Sequence, residues 1–311
     1  MLYINEIIAI LSGATFAISS VIIRKLDHYG SSSQLNLIRT GIGGVLFILH
    51  LLIFNDYRKL LLPGIVVVYL VLSVLFNVVI GDSLYFSCQN RVGVKISAPL
   101  VNTYPLFTII LAIFILDEEY NLTIMIGSLI IIIGIIFLSL DSKDISNSDT
   151  QSKSVTGLLF GFGAVLFYSL GMILITIASI NLEPVVANSI RLPSGTLILL
   201  FWVITDTMRK NKKETVNNKT NRIKMSSVRT MPKNHIFLFF LAGFLGTYIS
   251  SLFLVYSVQT LGAGKTSVIV STAPLFALPF AVFWLKEKLT TYTLFGTVMT
   301  IFGLFLILNN N

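Results

Sequence analysis

Charged side chains stand inside otherwise apolar stretches of this sequence, and they are the first candidates for chemistry. Asp82 is the one carboxylate well inside such a stretch, and Tyr85 follows it on about the same helical face. A carboxylate in an apolar medium can exchange protons with its surroundings or hold a substrate amine. It can also form a structural bridge to Arg39 or Lys95, and the sequence leaves these alternatives open.

Two arginines occupy equivalent positions, Arg39 and Arg191, each about five residues into an apolar run. A charge inside a membrane span costs at least about 2.5 kcal/mol, so each arginine needs a reason to be there. A guanidinium offers five donors and could bind an anion or backbone carbonyls in a cavity. It could instead extend to the lipid headgroups or fix a neighbouring helix end.

Two lysines, Lys95 and Lys265, stand at the start of further apolar runs. Lys265 belongs to the string Gly-Ala-Gly-Lys-Thr-Ser, in which the glycines permit close approach of the backbone. The string lacks the spacing of a phosphate-binding loop. We interpret both lysines as anion contacts or as headgroup anchors.

Polar residues precede a proline in two apolar runs. Proline leaves the carbonyl four residues earlier without its helical partner, so Pro105 and Pro274 are predicted hinges that expose polar backbone. The neighbouring cavity-lining candidates are Asn102, Tyr104, Ser271 and Thr272. The alternative is that the hydroxyls are satisfied within their own helices.

Other kinds of site are not indicated. Cys88 is the only cysteine, which excludes an internal disulfide. The three histidines are far apart and have no ligand-like neighbours, so we predict no metal and no cofactor. An enzyme would need a cluster of His, Asp or Glu at one membrane face, and none is visible. We therefore predict no catalytic residues.

The elements that position these residues are apolar runs of about 20 residues, each long enough to cross the hydrocarbon core as a helix. Hydrophobic residues make up 55% of the 311-residue chain and charged residues 12%, which excludes an ordinary soluble domain. We predict an all-α membrane protein with ten transmembrane helices. The runs are 4–26, 34–54, 63–88, 94–116, 122–140, 156–180, 184–205, 236–261, 265–285 and 290–308.

The net charge of +8 is concentrated in one segment, residues 206–235, which carries nine Lys or Arg and two acids. A basic, hydrophilic segment between apolar runs is typical of a loop at the lipid headgroups. No aromatic residue interleaves with its charges, so a nucleic-acid partner is not expected.

The chain contains an internal repeat. Residues 93–140 align with residues 262–309 without a gap, with 13 identities in 48 positions that include a proline, a glutamate (Glu118 over Glu287) and two glycines. Asn36-Leu-Ile-Arg39 likewise matches Asn188-Ser-Ile-Arg191. We predict a first repeat at 1–140, a linker at 141–155 and a second repeat at 156–311 that contains the basic loop.

Five spans in each repeat would place the second repeat upside down relative to the first, because five is odd. Inverted repeats are used by many secondary transporters, whose two halves rock around a site near the midplane. A channel or receptor is disfavoured by this arrangement and by the proline in both halves.

These features resemble the EamA family of the drug/metabolite transporter superfamily. The likeness is carried by an arginine early in the second span of each half and by a Pro-Leu-Phe helix that ends in an acidic turn, within residues 98–134 and 268–303. The resemblance implies ten helices around a central cavity and a secondary-active mechanism in a cell membrane. It implies transport of small polar metabolites, amino-acid-like or other organic solutes. The alternatives are an antiporter for anionic sugar phosphates or nucleotide-sugars and, less favoured, a polytopic membrane enzyme.

The orientation in the membrane stays open at this point. The distribution of Lys and Arg favours both termini outside, because the basic loop would then face the cytoplasm. The family resemblance implies both termini in the cytoplasm. Both arguments place the two termini on the same side. Direction of transport, coupling ion and substrate are not determined by the sequence, although Asp82 makes proton coupling a hypothesis.

Overall fold

A computed structural model of the chain describes residues 3–54, 57–92, 97, 100–120, 122–140, 151–216, 233–273, 275–276, 279 and 291–309. Most of the predicted linker and of the basic loop, residues 141–150 and 217–232, therefore lies outside the described residues. Within the described part of the chain, all regular secondary structure is helical.

The helices coincide with the apolar runs, because a helix satisfies its backbone polar groups internally where no water is available. They are α1 (Ile4–Lys25), α2 (Ser32–Phe54), α3 (Gly64–Val74), α4 (Asp82–Val92), α5 (Tyr104–Leu116), α6 (Leu122–Leu140), α7 (Gln151–Ser179), α8 (Pro184–Val216), α9 (Lys233–Gly243), α10 (Ser250–Leu261), α11 (Ala263–Ser271) and α12 (Thr291–Leu308). Short 3₁₀ turns at Asp27–Tyr29 and Tyr57–Leu60 accompany the first two connections.

Two of the spans contain a π-helical segment in their interior. Leu75–Gly81 joins α3 to α4, and Phe244–Ile249 joins α9 to α10, in both cases with helical backbone angles at the junctions. The two segments begin 169 residues apart, which is also the separation of the aligned Gly93 and Gly262. The same irregularity thus occurs at the same position of both halves of the sequence.

The chain also turns just before the two predicted hinge prolines. Asn102 and Thr103 form a turn, and α5 begins at Tyr104 with Pro105 in its first helical turn. In the second half, α11 ends at Ser271 and Thr272 forms the turn. A proline in the first helical turn loses no backbone hydrogen bond, so the sequence favours a break there over a bend within a continuous helix.

Six helical stretches are long and apolar enough to cross a membrane, and three shorter apolar helices accompany them. The six are Ile4–Ile23, Ser33–Phe54, Gly64–Tyr85, Val155–Ser179, Pro184–Met208 and Asn234–Leu261, and the shorter ones are Tyr104–Leu116, Leu122–Phe137 and Leu294–Leu308. Large apolar side chains such as Phe54 and Phe114 point outward, 76% and 80% exposed. Such an outer surface suits lipid, and the prediction of an all-helical membrane protein is confirmed at this level.

Helices of the first half (residues 4–140) pack mainly on helices of the second half (residues 155–309). Seven of these pairs are α2 with α8, α6 with α12, α5 with α11, α4 with α7, α1 with α10, α5 with α7 and α1 with α11. In the repeat, each span of the first half has a counterpart in the second half. When every span is replaced by its counterpart, the seven pairs give the same seven pairs again. Helix packing is therefore consistent with an internal two-fold relation.

Candidate functional site

The arginines at equivalent positions of α2 and α8 are held in the same local way. Arg39 Nη2 donates to Asn36 Oδ1 at 2.9 Å, and Arg191 Nη1 donates to Asn188 Oδ1 at 2.9 Å. Residues three apart on a helix are neighbours, so the Asn-x-x-Arg spacing creates this bond by itself. Both arginines are buried, 8% and 2% exposed, which does not agree with extension to the headgroups.

In the first half, the arginine reaches a carboxylate. Arg39 Nη2 lies 3.3 Å from Asp82 Oδ2, with both side chains about nine-tenths buried. Asp82 is the first residue of α4, directly after the π-helical segment, and the Tyr168 hydroxyl from α7 donates to its other oxygen at 2.6 Å. Of the two partners that the sequence offered Asp82, Arg39 is the one that the described residues place beside it. Lys95 lies outside the described residues.

One donor of this cluster is unused. The Nε of Arg39 is buried and has no hydrogen-bond partner among the described residues. The guanidinium carbon stands 5.4 Å from the centre of the Phe16 ring, a cation–π distance. A buried N–H without a partner costs free energy, and a polar solute or water that entered the cluster could satisfy it.

The second half has no carboxylate at the corresponding place. Arg191 Nε donates to Ser73 Oγ at 2.8 Å, and Asn188 Nδ2 donates to the Ser251 carbonyl at 3.0 Å. Ser251 is the residue that the repeat aligns with Asp82. The two halves therefore share the asparagine–arginine pair and differ in the ionisable partner.

Lys265 is buried, 8% exposed, and its Nζ donates to Glu6 Oε1 at 3.0 Å. The expectation of a headgroup anchor is therefore wrong. Sequence reasoning did not single out Glu6, although an acid in the first turn of an apolar helix was a usable signal. The ion pair joins α1 of the first half to α11 of the second.

The proline-flanking residues are mostly bonded to nearby backbone. The Ser271 hydroxyl donates to Val268 O at 2.7 Å and the Thr272 hydroxyl to Ile269 O at 2.6 Å, both within their own helix. The Tyr104 hydroxyl donates to Ser267 O of α11 at 3.2 Å, so it links the two interrupted spans. These bonds agree with the alternative in which the hydroxyls are satisfied structurally.

Three candidates from the sequence remain, Asn102, Tyr85 and Pro274. Asn102 lies in the turn before α5 and Tyr85 lies one turn beyond Asp82, and both are partly buried. Pro274 lies outside the described residues.

Tyr168 was not anticipated from the sequence. It is one of many aromatic residues in apolar runs, and its neighbour Tyr104, 5.9 Å away between ring centres, stands in a different span. Only the packing of α7 on α4 brings its hydroxyl to Asp82. Among the described residues, no group of three or more His, Cys, Asp or Glu side chains could hold a metal ion.

The arrangement can therefore bind and release protons or polar groups at one buried place. A carboxylate, a guanidinium with an unused donor and a phenol meet between α2, α4 and α7 of an apolar bundle.

Comparison with known proteins assigns this chain to a class of membrane protein. The sequence profile of the EamA-like transporter family matches residues 4–140 and again residues 155–309. The chain belongs to this family, and through it to the drug/metabolite transporter superfamily. It is a multi-pass integral membrane protein, and its family is one of membrane transporters of small solutes rather than of enzymes.

Individual relatives agree with this assignment. An uncharacterized transporter from Archaeoglobus fulgidus is 23% identical over 251 residues, which cover 79% of each chain. A solved crystal structure is similar in shape, with a TM-score of 0.73 over 97% of this chain and 94% of the other. Its sequence identity is 15%, so the likeness concerns the fold alone.

Proposed function

We propose that this protein is a secondary-active transporter of small polar solutes that works by alternating access. The observation that carries the proposal is the Arg39–Asp82–Tyr168 cluster, which is buried among apolar helices and joins the two halves. Ionisable groups at such depth are costly, and in membrane proteins they mark substrate or ion pathways. The solute would bind between the halves beside this cluster.

Ten spans in two inverted five-helix repeats form the framework of the proposal. It is supported by the family profile, which matches the chain twice, and by the π-helical segments at aligned positions. The seven packed helix pairs named above, which map onto one another when the halves are exchanged, support it further. Two related halves can form similar contacts in an inward-open and an outward-open state.

Neutral or zwitterionic solutes, including amino-acid-like ones, fit the cluster better than multiply charged anions. Arg39 has Asp82 as a counter-ion, and Lys265 has Glu6. An antiporter for sugar phosphates would need cations free to face its substrate, so these two ion pairs argue against Arg39 and Lys265 in that role.

Asp82 is the proposed coupling residue. Protonation of Asp82 would remove the counter-charge of Arg39 and weaken the bond from Tyr168, which is the contact with the second half. A change at one carboxyl group would thereby alter both the binding region and the contact between halves. This is the property that coupling of a proton to alternating access requires.

The test is transport in proteoliposomes. Purified protein would be assayed with labelled amino acids, nucleobases and sugar phosphates, with and without an imposed pH gradient. We expect accumulation of a neutral or zwitterionic solute to follow the gradient. The Asp82→Asn variant should keep solute exchange at equal pH and lose accumulation driven by the gradient.

Ser83→Ala is the matched control, because Ser83 neighbours Asp82 and its hydroxyl only donates to Val79 O of the preceding turn. It should transport as the parent does. Gradient-driven accumulation that persists in Asp82→Asn would refute the coupling role. Absence of transport of every solute class by the parent protein would refute the proposed function.

A further inference from the structure

Three consecutive residues of the second half, Ala263, Gly264 and Lys265, are held by acidic side chains of the first half. Glu118, in the turn after α5, accepts hydrogen bonds from the backbone N–H of Ala263 at 2.7 Å and of Gly264 at 3.3 Å. Glu6 accepts from Lys265 Nζ at 3.0 Å. The first turn of α11 is thus fixed by two carboxylates from two different helices of the other half.

The cap by Glu118 follows from the needs of a helix end. The first N–H groups of α11 have no partner within the helix, and a carboxylate satisfies them and complements the helix dipole. Tyr120 also donates to Glu118, which fixes the carboxylate in place. In the sequence repeat, Glu287 aligns with Glu118 and Gly93 with Gly262, so the sequence repeats this pair of residues, and its second copy lies outside the described residues.

The alignment does not repeat the lysine of this ion pair at the same position. The position aligned with Lys265 is Ile96, and the neighbouring Lys95 lies outside the described residues. Glu6 and Lys265 are 3% and 8% exposed, so their attraction is little screened by solvent. Separating them would cost each buried charge its attraction to the other, and this makes the contact important for the conformation at this face.

All these contacts lie at one face of the bundle, which we name the N-terminal face. It contains the start of α1, the turn after α5 and the junction of α10 and α11, which touch one another through Glu6, Glu118 and Lys265. α11 runs inward from this face and ends at the turn formed by Thr272. Any opening between the halves toward the N-terminal face must therefore move the start of α11 away from α1.

We propose that the Glu6–Lys265 pair is a latch that closes the transporter on its N-terminal face. In this structure the latch is closed, and opening toward that face requires the ion pair to separate. This inference rests on the proposed function, since it assigns the pair to one step of alternating access. Lys265 is then a conformational residue rather than a substrate contact.

The experiment measures access rather than transport. In a Cys88→Ala background, Ser267→Cys serves as the reporter, because Ser267 is fully buried on α11, two residues beyond Lys265. A membrane-impermeant maleimide is applied from the N-terminal face of oriented proteoliposomes. Glu6→Gln and Lys265→Met each break the latch, and each should speed labelling by about tenfold, which corresponds to about 1.4 kcal/mol.

Glu183→Gln is the matched control. Lys59 and Glu183 also join the two halves by an ion pair, but their side chains are 44% and 51% exposed. A solvated pair contributes little, so labelling should match that of the parent. The exchanged pair, Glu6→Lys with Lys265→Glu, should return labelling to the slow rate.

Unchanged labelling in folded Glu6→Gln and Lys265→Met would overturn the latch. It would also be overturned if every pair-breaking variant failed to fold while the exchanged pair folded, since the pair would then be a permanent structural link. Labelling needs no solute, so the latch result stays separate from a failure of the proposed transport function.

Discussion

At the scale of single residues, the buried charges in the described part of the chain have partners within reach. Arg39 faces Asp82, Lys265 faces Glu6, and Arg191 is bound by Asn188 and Ser73. In an apolar medium an ion pair is not an efficient source of stability, because both charges must lose their hydration. Its cost is tolerated where function or conformational specificity requires it.

The stability of Asp82 variants should show this coupling. We expect Asp82→Ala to destabilise the protein by about 3–5 kcal/mol, because it leaves the Arg39 guanidinium buried without its counter-charge. The double variant Arg39→Met with Asp82→Ala should recover most of that loss. Thermal unfolding in detergent, analysed as a double-mutant cycle, measures the interaction. Additive losses from the two substitutions would contradict the coupling.

Gly262 has a backbone conformation that requires glycine. It has φ +80° and ψ 172°, and an added Cβ would lie 2.7–2.8 Å from the Glu118 carboxylate. That backbone region is open essentially to glycine alone. Gly262→Ala should therefore destabilise the protein by about 1–3 kcal/mol and weaken the cap on α11.

The control for this substitution is Gly64→Ala at the start of α3, where an added Cβ would meet nothing within 4 Å. Its unfolding temperature in detergent should equal that of the parent or exceed it slightly, since alanine favours a helix over glycine. A loss of stability equal to that of Gly262→Ala would show that the backbone angle is not the cause.

At the scale of helices, close packing depends on small residues rather than on an excess of apolar ones. Lipid is as apolar as leucine, so membrane helices associate through shape and backbone approach. α6 and α12 pack along glycines of both halves, and an added Cβ on Gly134 would lie 2.8 Å from Gly296 O. The equal spacing of Gly127/Gly134 and Gly296/Gly303 in the sequence predicted this kind of contact.

Gly134→Ala should separate α6 from α12 and destabilise the protein by about 1–3 kcal/mol, the usual cost of overpacking. The control is Gly41→Ala on α2, where the nearest atom to an added Cβ is Thr196 Cγ2 at an ordinary 3.5 Å. Unfolding of the two variants in detergent tests the difference. If Gly134→Ala and Gly41→Ala unfolded at the same temperature, close packing of α6 on α12 would not be the cause of the expected loss of stability.

At the scale of the whole molecule, the halves are interleaved rather than side by side. The ion pair at Glu6, the cap at Glu118 and the hydroxyl of Tyr168 all cross from one half to the other. The proposed transport cycle would therefore exchange specific polar contacts between the halves at the two faces, while the aligned glycines maintain the α6–α12 contact.

An even number of spans predicts that both termini lie on one side of the membrane. In the Cys88→Ala background, the single substitutions Tyr3→Cys and Asn309→Cys should each give a thiol that reacts with an impermeant maleimide from the same side of the membrane. A cysteine at Ser227 in the basic loop, after seven predicted spans, should react from the other side. The distribution of positive charge further predicts no labelling at Ser227 in intact cells.

Different outcomes of that experiment identify different errors. Reaction of Tyr3 and Asn309 from opposite sides would mean an odd number of spans and would exclude two five-helix repeats. Labelling at Ser227 in intact cells, with the termini on one side, would contradict only the charge-based orientation. It would then favour the cytoplasmic termini that the family resemblance implies.

Much of the framework could be predicted from the sequence. Apolar runs indicate helices because hydrocarbon leaves the backbone no other way to satisfy its hydrogen bonds. Asn36 with Arg39 and Asn188 with Arg191 form pairs within single helices, and such neighbours follow from helical spacing. The π-helical segments were not predicted. No residue type in Leu75–Gly81 or Phe244–Ile249 signals a change to hydrogen bonds between residues five apart.

By itself, the sequence determined the membrane setting, the family, the repeat and the few polar residues inside apolar runs. Only the tertiary structure decided which of those residues meet: Asp82 with Arg39 and Tyr168, and Lys265 with Glu6. The physical reason is that helical periodicity fixes neighbours three or four residues apart. Partners on different helices depend on how those helices pack, and apolar surfaces that resemble one another do not specify that packing locally.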